Sequence, residues 1–145
     1  MYESCIQKQN KVKNFFNACQ SEEERYQKIM ELGRSQVQLK PEHKTHENLV
    51  KGCQSRMYLY SYIQEGKIIF EAESDALISA GLAALLVQVY SGEIPEVVLK
   101  CPPTYLDELG IFTKLTPTRA NGLYSMHLHM KQDALKLMME QQKKG

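Results

Sequence analysis

The sequence predicts an α+β domain, a small antiparallel sheet packed against several helices. Three observations carry the prediction. Apolar residues recur at helical spacing near the N-terminus and again over the C-terminal third. Between them lie two runs of strand character separated only by Glu65-Gly66. No strand–helix–strand alternation appears, so the sheet is a hairpin rather than a parallel array. The chain has 145 residues, which fits one domain spanning 1–145 and allows roughly 70% of the unfolded surface to be buried without staples.

Each element has a local reason. Val12, Phe15, Phe16 and Cys19 share one helical face. Ser21 followed by Glu24 is a capping box, in which each side chain satisfies an otherwise orphaned amide. The helix it opens turns Tyr26, Ile29, Met30 and Leu32 toward a core, with Gly33 as the expected stop. Residues 41–48 read as a polar loop. Strands follow at 55–64 and 67–73, the second carrying Ile68, Ile69 and Phe70. Ser74 and Asp75 are expected to start a helix over 76–90, the serine as cap and the carboxylate against the positive dipole end. Leu77, Ile78, Leu82, Leu85, Leu86 and Val89 cover more than one face, so this is the expected central helix. Ile94-Pro95 reads as a short connection, and Tyr105 to Leu109 as a short helix stopped by Gly110. Thr116-Pro117 opens the last helix, the proline at a position where its missing N–H costs nothing. There Leu123, Met126, Met130, Ala134, Leu137 and Met138 form an apolar stripe.

Composition excludes several classes. Lys plus Arg is 18 and Asp plus Glu is 17, a net charge of +1, which gives no general pull toward nucleic acid or an anionic membrane. The longest apolar stretch, 82–87, is far short of the roughly 18–20 residues a bilayer span needs. Cys5, Cys19, Cys53 and Cys101 form no C-x-x-C pair, which argues against a zinc knuckle or a dithiol redox motif. A soluble protein of a reducing compartment with free thiols is expected.

The most chemical position is Cys53, in Gly52-Cys53-Gln54-Ser55. Its small polar flanks read as an exposed turn before a strand. Lys51 and Arg56 lie close in sequence and would favour the reactive thiolate. The competing reading is an inert cysteine at a strand start. No His stands at a spacing that would serve a self-sufficient thiol hydrolase. A thiol that accepts sulfur from another thiol needs only access, some thiolate and a leaving sulfur on its partner. Cys5, Cys19 and Cys101 read as inert filler. His43 and His46 sit in the polar loop, and His127 and His129 stand two apart on a helix, facing different ways. A metal site has little support. Arg119 falls in the first turn of the last helix, unfavourable against the dipole, so an ion pair or a partner contact is expected. Asn121-Gly122 weakens that helix by about 1 kcal/mol, and a small residue there permits close backbone approach.

Three segments carry a resemblance. They are Val50-Lys51-Gly52-Cys53-Gln54-Ser55, then Glu73-Ser74-Asp75-Ala76 with Gly81-Leu82, and last Leu115-Thr116-Pro117-Thr118-Arg119 with Asn121-Gly122-Leu123 and Met126. In order and spacing the chain resembles the SufE family, sulfur acceptors that work with group II cysteine desulfurases in iron–sulfur cluster assembly. The resemblance implies a fold like SufE and the IscU scaffold. It implies that Cys53 accepts persulfide sulfur, that Gly52, Gln54 and Ser55 shape its loop, and that Asp75 and Arg119 serve loop control and desulfurase contact. The implied partners are a SufS-like cysteine desulfurase and a downstream iron–sulfur scaffold, with no nucleic acid or membrane. Pyridoxal phosphate belongs to the desulfurase, and no cofactor or metal is expected here. A cytoplasmic activator and carrier, not a stand-alone enzyme, is implied, as monomer or weak homodimer. The alternative is an iron–sulfur or zinc-binding scaffold of the same fold.

Overall fold

A computed structural model of the chain describes residues 1–111 and 115–144. The elements are α1 (Glu3–Phe16), α2 (Glu22–Arg34), two 3₁₀ turns (Pro41–His43 and His46–Asn48), β1 (Met57–Gln64), β2 (Lys67–Ser74), α3 (Leu77–Tyr90), α4 (Pro95–Lys100), α5 (Thr104–Glu108) and α6 (Pro117–Lys144). The α+β expectation holds, with a two-stranded antiparallel sheet and helices before and after it. Among the described residues no helix is long and apolar enough to cross a membrane.

The hairpin pairs Met57 with Ser74 and Gln64 with Lys67. Glu65 and Gly66 both have positive φ, 53° and 78°, which gives the two-residue turn whose twist matches the strands. Met57, Leu59, Ile68 and Phe70 are buried. Ser61, on the same face, donates its hydroxyl hydrogen bond to Asp133 Oδ2 of α6 at 2.6 Å. On the other face His43 stacks on Tyr60 with ring centroids 3.7 Å apart. The first strand begins two residues later than expected, at Met57, because residues 51–56 leave the sheet as a loop.

α3 is the central helix. Leu85, Leu86, Val89 and Tyr90 are fully buried, each apolar side chain contributing on the order of 1.5–3 kcal/mol. The Tyr90 hydroxyl donates to the Cys101 carbonyl at 2.6 Å and the Tyr105 hydroxyl to the Leu85 carbonyl at 2.8 Å, so neither ring buries an unpaired O–H. These bonds tie the α4–α5 segment to α3.

Ser21 Oγ accepts from the Glu24 amide at 3.1 Å, as a capping residue should. The Glu24 carboxylate reaches back one residue further than expected, to the Gln20 amide. Gly33 does not stop α2, which continues to Arg34. A Cβ on Gly33 would overlap the Leu77 carbonyl oxygen, and one on Gly81 would overlap the Ile29 carbonyl oxygen. The two glycines therefore mark a backbone-to-backbone helix crossing. The 41–48 segment is ordered as 3₁₀ turns rather than irregular loop. Ile94-Pro95 opens the short helix α4 instead of a plain connection, with Pro95 at its first position, the place where proline is tolerated.

α6 runs 28 residues, about 42 Å at 1.5 Å per residue. Leu123, Met126, Met130 and Ala134 are its buried stripe. Thr116 Oγ1 accepts from the Arg119 amide at 3.3 Å, the capping bond expected of Thr116 before Pro117.

Candidate functional site

The loop 51–56 leaves the hairpin beside the start of α3 and meets the first turns of α6. Its ends are pinned. The Val50 amide donates to the Met57 carbonyl at 2.8 Å, and Leu49 forms a bridge with Tyr58. At the far end Arg56 and Asp75 make a double link. The Arg56 amide donates to Asp75 Oδ1 at 3.0 Å, and the Asp75 amide donates to the Arg56 carbonyl at 3.1 Å. Asp75 thus closes the loop onto the end of β2. This corrects the expected helix-start role. α3 is capped at Ala76 with no side-chain bond, and Ser74 is the last residue of β2. The Ser74 hydroxyl accepts from the Ala76 amide at 3.2 Å.

Gly52 has φ 91°, a conformation open to glycine at little cost. A Cβ there would also overlap Ser125 Oγ of α6. The loop tip therefore lies flat on α6, and Cys53 turns inward. Its Sγ donates to the Gly122 carbonyl at 3.5 Å. A Cβ on Gly122 would stand 3.4 Å from that sulfur. The helix-weakening glycine at 122 is where the helix backbone and the thiol approach each other.

Cys53 is half-buried rather than exposed. Burial pushes its thiol up from the ordinary cysteine value, because a low-dielectric site penalises the thiolate. This corrects the expectation that Lys51 and Arg56 would favour the thiolate; both are exposed to solvent. At rest the sulfur is predominantly the neutral thiol.

The thiol faces a cleft of about 410 Å³. Cys53, Gln54 and Ser55 form one wall, Asp75 and Ser79 a second, and Arg119 and Gly122 a third, over a floor that includes Met57 and Met126. The residues singled out in the sequence therefore converge on one place, with Gly52 at the adjoining rim. The Arg119 guanidinium lies 5.9 Å from the Tyr26 ring centroid, a cation–π distance, so α2 holds this side chain at the cleft edge.

Sequence reasoning missed Ser79. The Ser55 hydroxyl donates to Ser79 Oγ at 2.9 Å, and the Ser74 hydroxyl donates to Ser55 Oγ at 3.4 Å. The signal to look for was a polar residue one turn beyond Asp75 in a mostly apolar helix. It missed Ser125 as well, whose contact with Gly52 has no local signature.

The remaining thiols differ from Cys53. Cys5 and Cys101 are buried, and Gln9 Nε2 donates to both sulfurs, at 3.8 and 3.7 Å. Burial, reinforced by Cys101, pushes the Cys5 thiol up to about 12. Cys19 packs against the core from the segment after α1. Among the described residues no group of three or more His, Cys, Asp or Glu is arranged to hold a metal ion.

Comparison with known proteins bears on the family and the fold. The family model described as "SufE: Fe-S metabolism associated domain" matches residues 10–134. An uncharacterised SufE-like protein of Synechocystis sp. is 32% identical over 117 residues, covering 81% of this chain and 74% of that protein. The SufE-like protein 1, chloroplastic/mitochondrial, of Arabidopsis thaliana is 34% identical over 131 residues, covering 90% of this chain and 35% of the plant protein. The chain thus spans about a third of that relative's length. Its fold is similar to the solution structure of a hypothetical protein from Thermus thermophilus, with a TM-score of 0.75, 24% identity, and coverage of 91% and 96% of the two chains.

Proposed function

This chain belongs to the SufE family, associated with iron–sulfur metabolism, and on that premise we propose that it is a sulfur-transfer accessory protein whose acceptor is Cys53. The donor is the persulfide on a SufS-like cysteine desulfurase, and the sulfur is passed on for iron–sulfur cluster assembly. The observation that carries the reading is the Cys53 thiol held by its loop at the mouth of a cleft. Among the described residues lining that cleft there is no second cysteine, and none is a histidine that could act as a base. A thiol so placed has its chemistry completed by another protein.

The step balances without a cofactor. The Cys53 thiol loses its proton, and the thiolate attacks the terminal sulfur of the donor's Cys–S–SH. A new S–S bond forms to Cys53. The donor's S–S bond breaks, and its own cysteine leaves as thiolate with the bonding pair. Persulfide and thiol exchange places, with no net oxidation. The pyridoxal phosphate that generates the persulfide from cysteine belongs to the desulfurase.

The resting geometry adds a condition. A half-buried thiol with a raised pKa is a poor nucleophile. Acceptance therefore requires the loop to leave the cleft, which exposes Cys53 and returns its thiol toward the ordinary range. Gly52 supplies the backbone freedom, Gln54 and Ser55 the polar wall, and Asp75 a fixed hinge. Arg119 stands at the rim facing an incoming desulfurase.

The test is to incubate the protein with the desulfurase and cysteine and map the added sulfur by mass spectrometry. Sulfur on Cys53 is expected, and Cys53→Ser should fold normally, accept none and no longer stimulate turnover. Sulfur on Cys19 or Cys101 with Cys53 unmodified would refute the reading.

A further inference from the structure

The loop that carries Cys53 has rigid ends and a lightly held middle. Val50 and Arg56 are fixed by backbone bonds that continue the hairpin. Between them, at residues 51–55, the side-chain hydrogen bonds to the other described residues differ in strength. The Cys53 thiol bond to Gly122 is a weak one, since S–H is a poor donor. The Ser74–Ser55 contact is long at 3.4 Å. The Ser55–Ser79 bond, at 2.9 Å and half-buried, is the strongest of the three. Ser79 itself is on firm ground. It lies in the first turn of α3, whose backbone is locked to α2 at Gly81. Ser74 is held behind it by the Gln36 carboxamide, which donates to its carbonyl at 3.0 Å and accepts from its amide at 3.1 Å.

We propose that Ser79 is the catch that keeps the Cys53 loop closed, a positioning residue that sets how often the thiol is presented. The inference deepens the sulfur-acceptor reading and rests on it for its purpose. Swinging the loop out moves Ser55 away from Ser79 and exchanges their bond for water. A catch of this kind is worth one net hydrogen bond. It holds the thiol, or a persulfide formed on it, inside the cleft between encounters, and it yields to a partner that binds the open loop better than the closed one.

The test follows native-state alkylation of Cys53 by iodoacetamide with peptide mapping. Removing the catch with Ser79→Ala should raise the rate about 2- to 12-fold, the factor that one net hydrogen bond represents, while lowering the thermal midpoint by only about 1–6 °C. Ser79→Thr, which keeps a hydroxyl, should restore a rate near wild type. Ser55→Ala breaks the same bond from the loop side and should reproduce the rise, which covers the case of a poorly folded Ser79→Ala. Wild-type alkylation rates in both alanine variants, or a Ser79→Thr rate as high as that of Ser79→Ala, would overturn the catch. Faster alkylation in a protein whose Cys53 accepts no sulfur would support the catch and overturn the sulfur-acceptor reading. Sulfur acceptance with alkylation indifferent to position 79 would overturn the catch alone.

Discussion

Gly122 is the most direct test of how the cleft is built, because two of its roles pull in opposite directions. A glycine inside a helix costs about 0.8–1.0 kcal/mol relative to alanine. Here the backbone is an ordinary part of α6, and the space for a Cβ ends 3.4 Å from Cys53 Sγ, a normal contact. Gly122→Ala should therefore stabilise the protein by about 0.5–1 kcal/mol after a few tenths are lost to crowding. For a chain of this size that is about 1–4 °C in the thermal midpoint. The Cys53–Gly122 bond uses the main-chain carbonyl and survives the change. Gly122→Val is a different matter. Its branch carbons extend into the volume of the thiol, and overpacking of that order costs about 1–3 kcal/mol. The loosely held loop is the part that gives. Thermal unfolding and native-state alkylation of Cys53 read the two effects separately. Alanine should raise the midpoint and change the alkylation rate by less than about twofold, while valine should raise the rate about tenfold or more, the population change equal to 1.4 kcal/mol. A midpoint for Gly122→Ala at or below wild type would refute the inference that a Cβ fits beside the Cys53 sulfur.

Two further outcomes follow from the packing. His127 is largely buried against Tyr90, ring centroids 5.5 Å apart, and its Nε2 has no hydrogen-bond partner among the described residues. Burial, with Lys131 adding to it, lowers its pKa to about 4 from 6.5. The unfolded chain takes up that proton first, so its contribution to stability is complete above pH 6.5 and is lost as pH falls toward 4, on the order of 3 kcal/mol in all. His127→Phe should leave stability at pH 7.5 nearly unchanged and flatten the acid limb, as urea denaturation at a series of pH values would show; an unaltered acid limb would contradict the assignment. Gly81→Ala should destabilise by about 1–3 kcal/mol despite alanine's better helix propensity, because its Cβ would overlap the Ile29 carbonyl and come 2.7 Å from the Ile29 Cγ2. A urea midpoint equal to wild type would mean the crossing relaxes freely.

Much of the fold was readable where one residue's reason is local. Ser21 and Thr116 cap the helices they were expected to cap. Glu65-Gly66 turns the hairpin, and the apolar residues of α3 are the core. The errors fall where a residue's partner is distant in sequence. Gly33 looked like a stop because a glycine in a helical pattern has that local meaning, but its neighbour is Leu77 of α3. Asp75 looked like a dipole partner because it precedes a helix, but its carboxylate serves Arg56 across the hairpin. Cys53 looked exposed because its flanks are small and polar, and no local rule shows that α6 would shelter it. The site was legible as a set of residues, through the resemblance, before it was legible as a shape. Ser79 and Ser125 were invisible for the same reason: a hydroxyl's role depends on what the fold brings to it.

The crossing of α2 and α3 at Gly33 and Gly81 fixes where α3 stands and therefore where Ser79 meets the loop. With two backbones in direct contact, there is no compressible side chain to absorb error. A methyl group added at either glycine would force α2 and α3 apart, and any movement of the start of α3 would carry Ser79 with it. With Ser79 as the catch we propose, the exposure of Cys53 would depend on a helix pair that contains no cysteine. Substitutions at that crossing should register as altered thiol exposure before they register as unfolding.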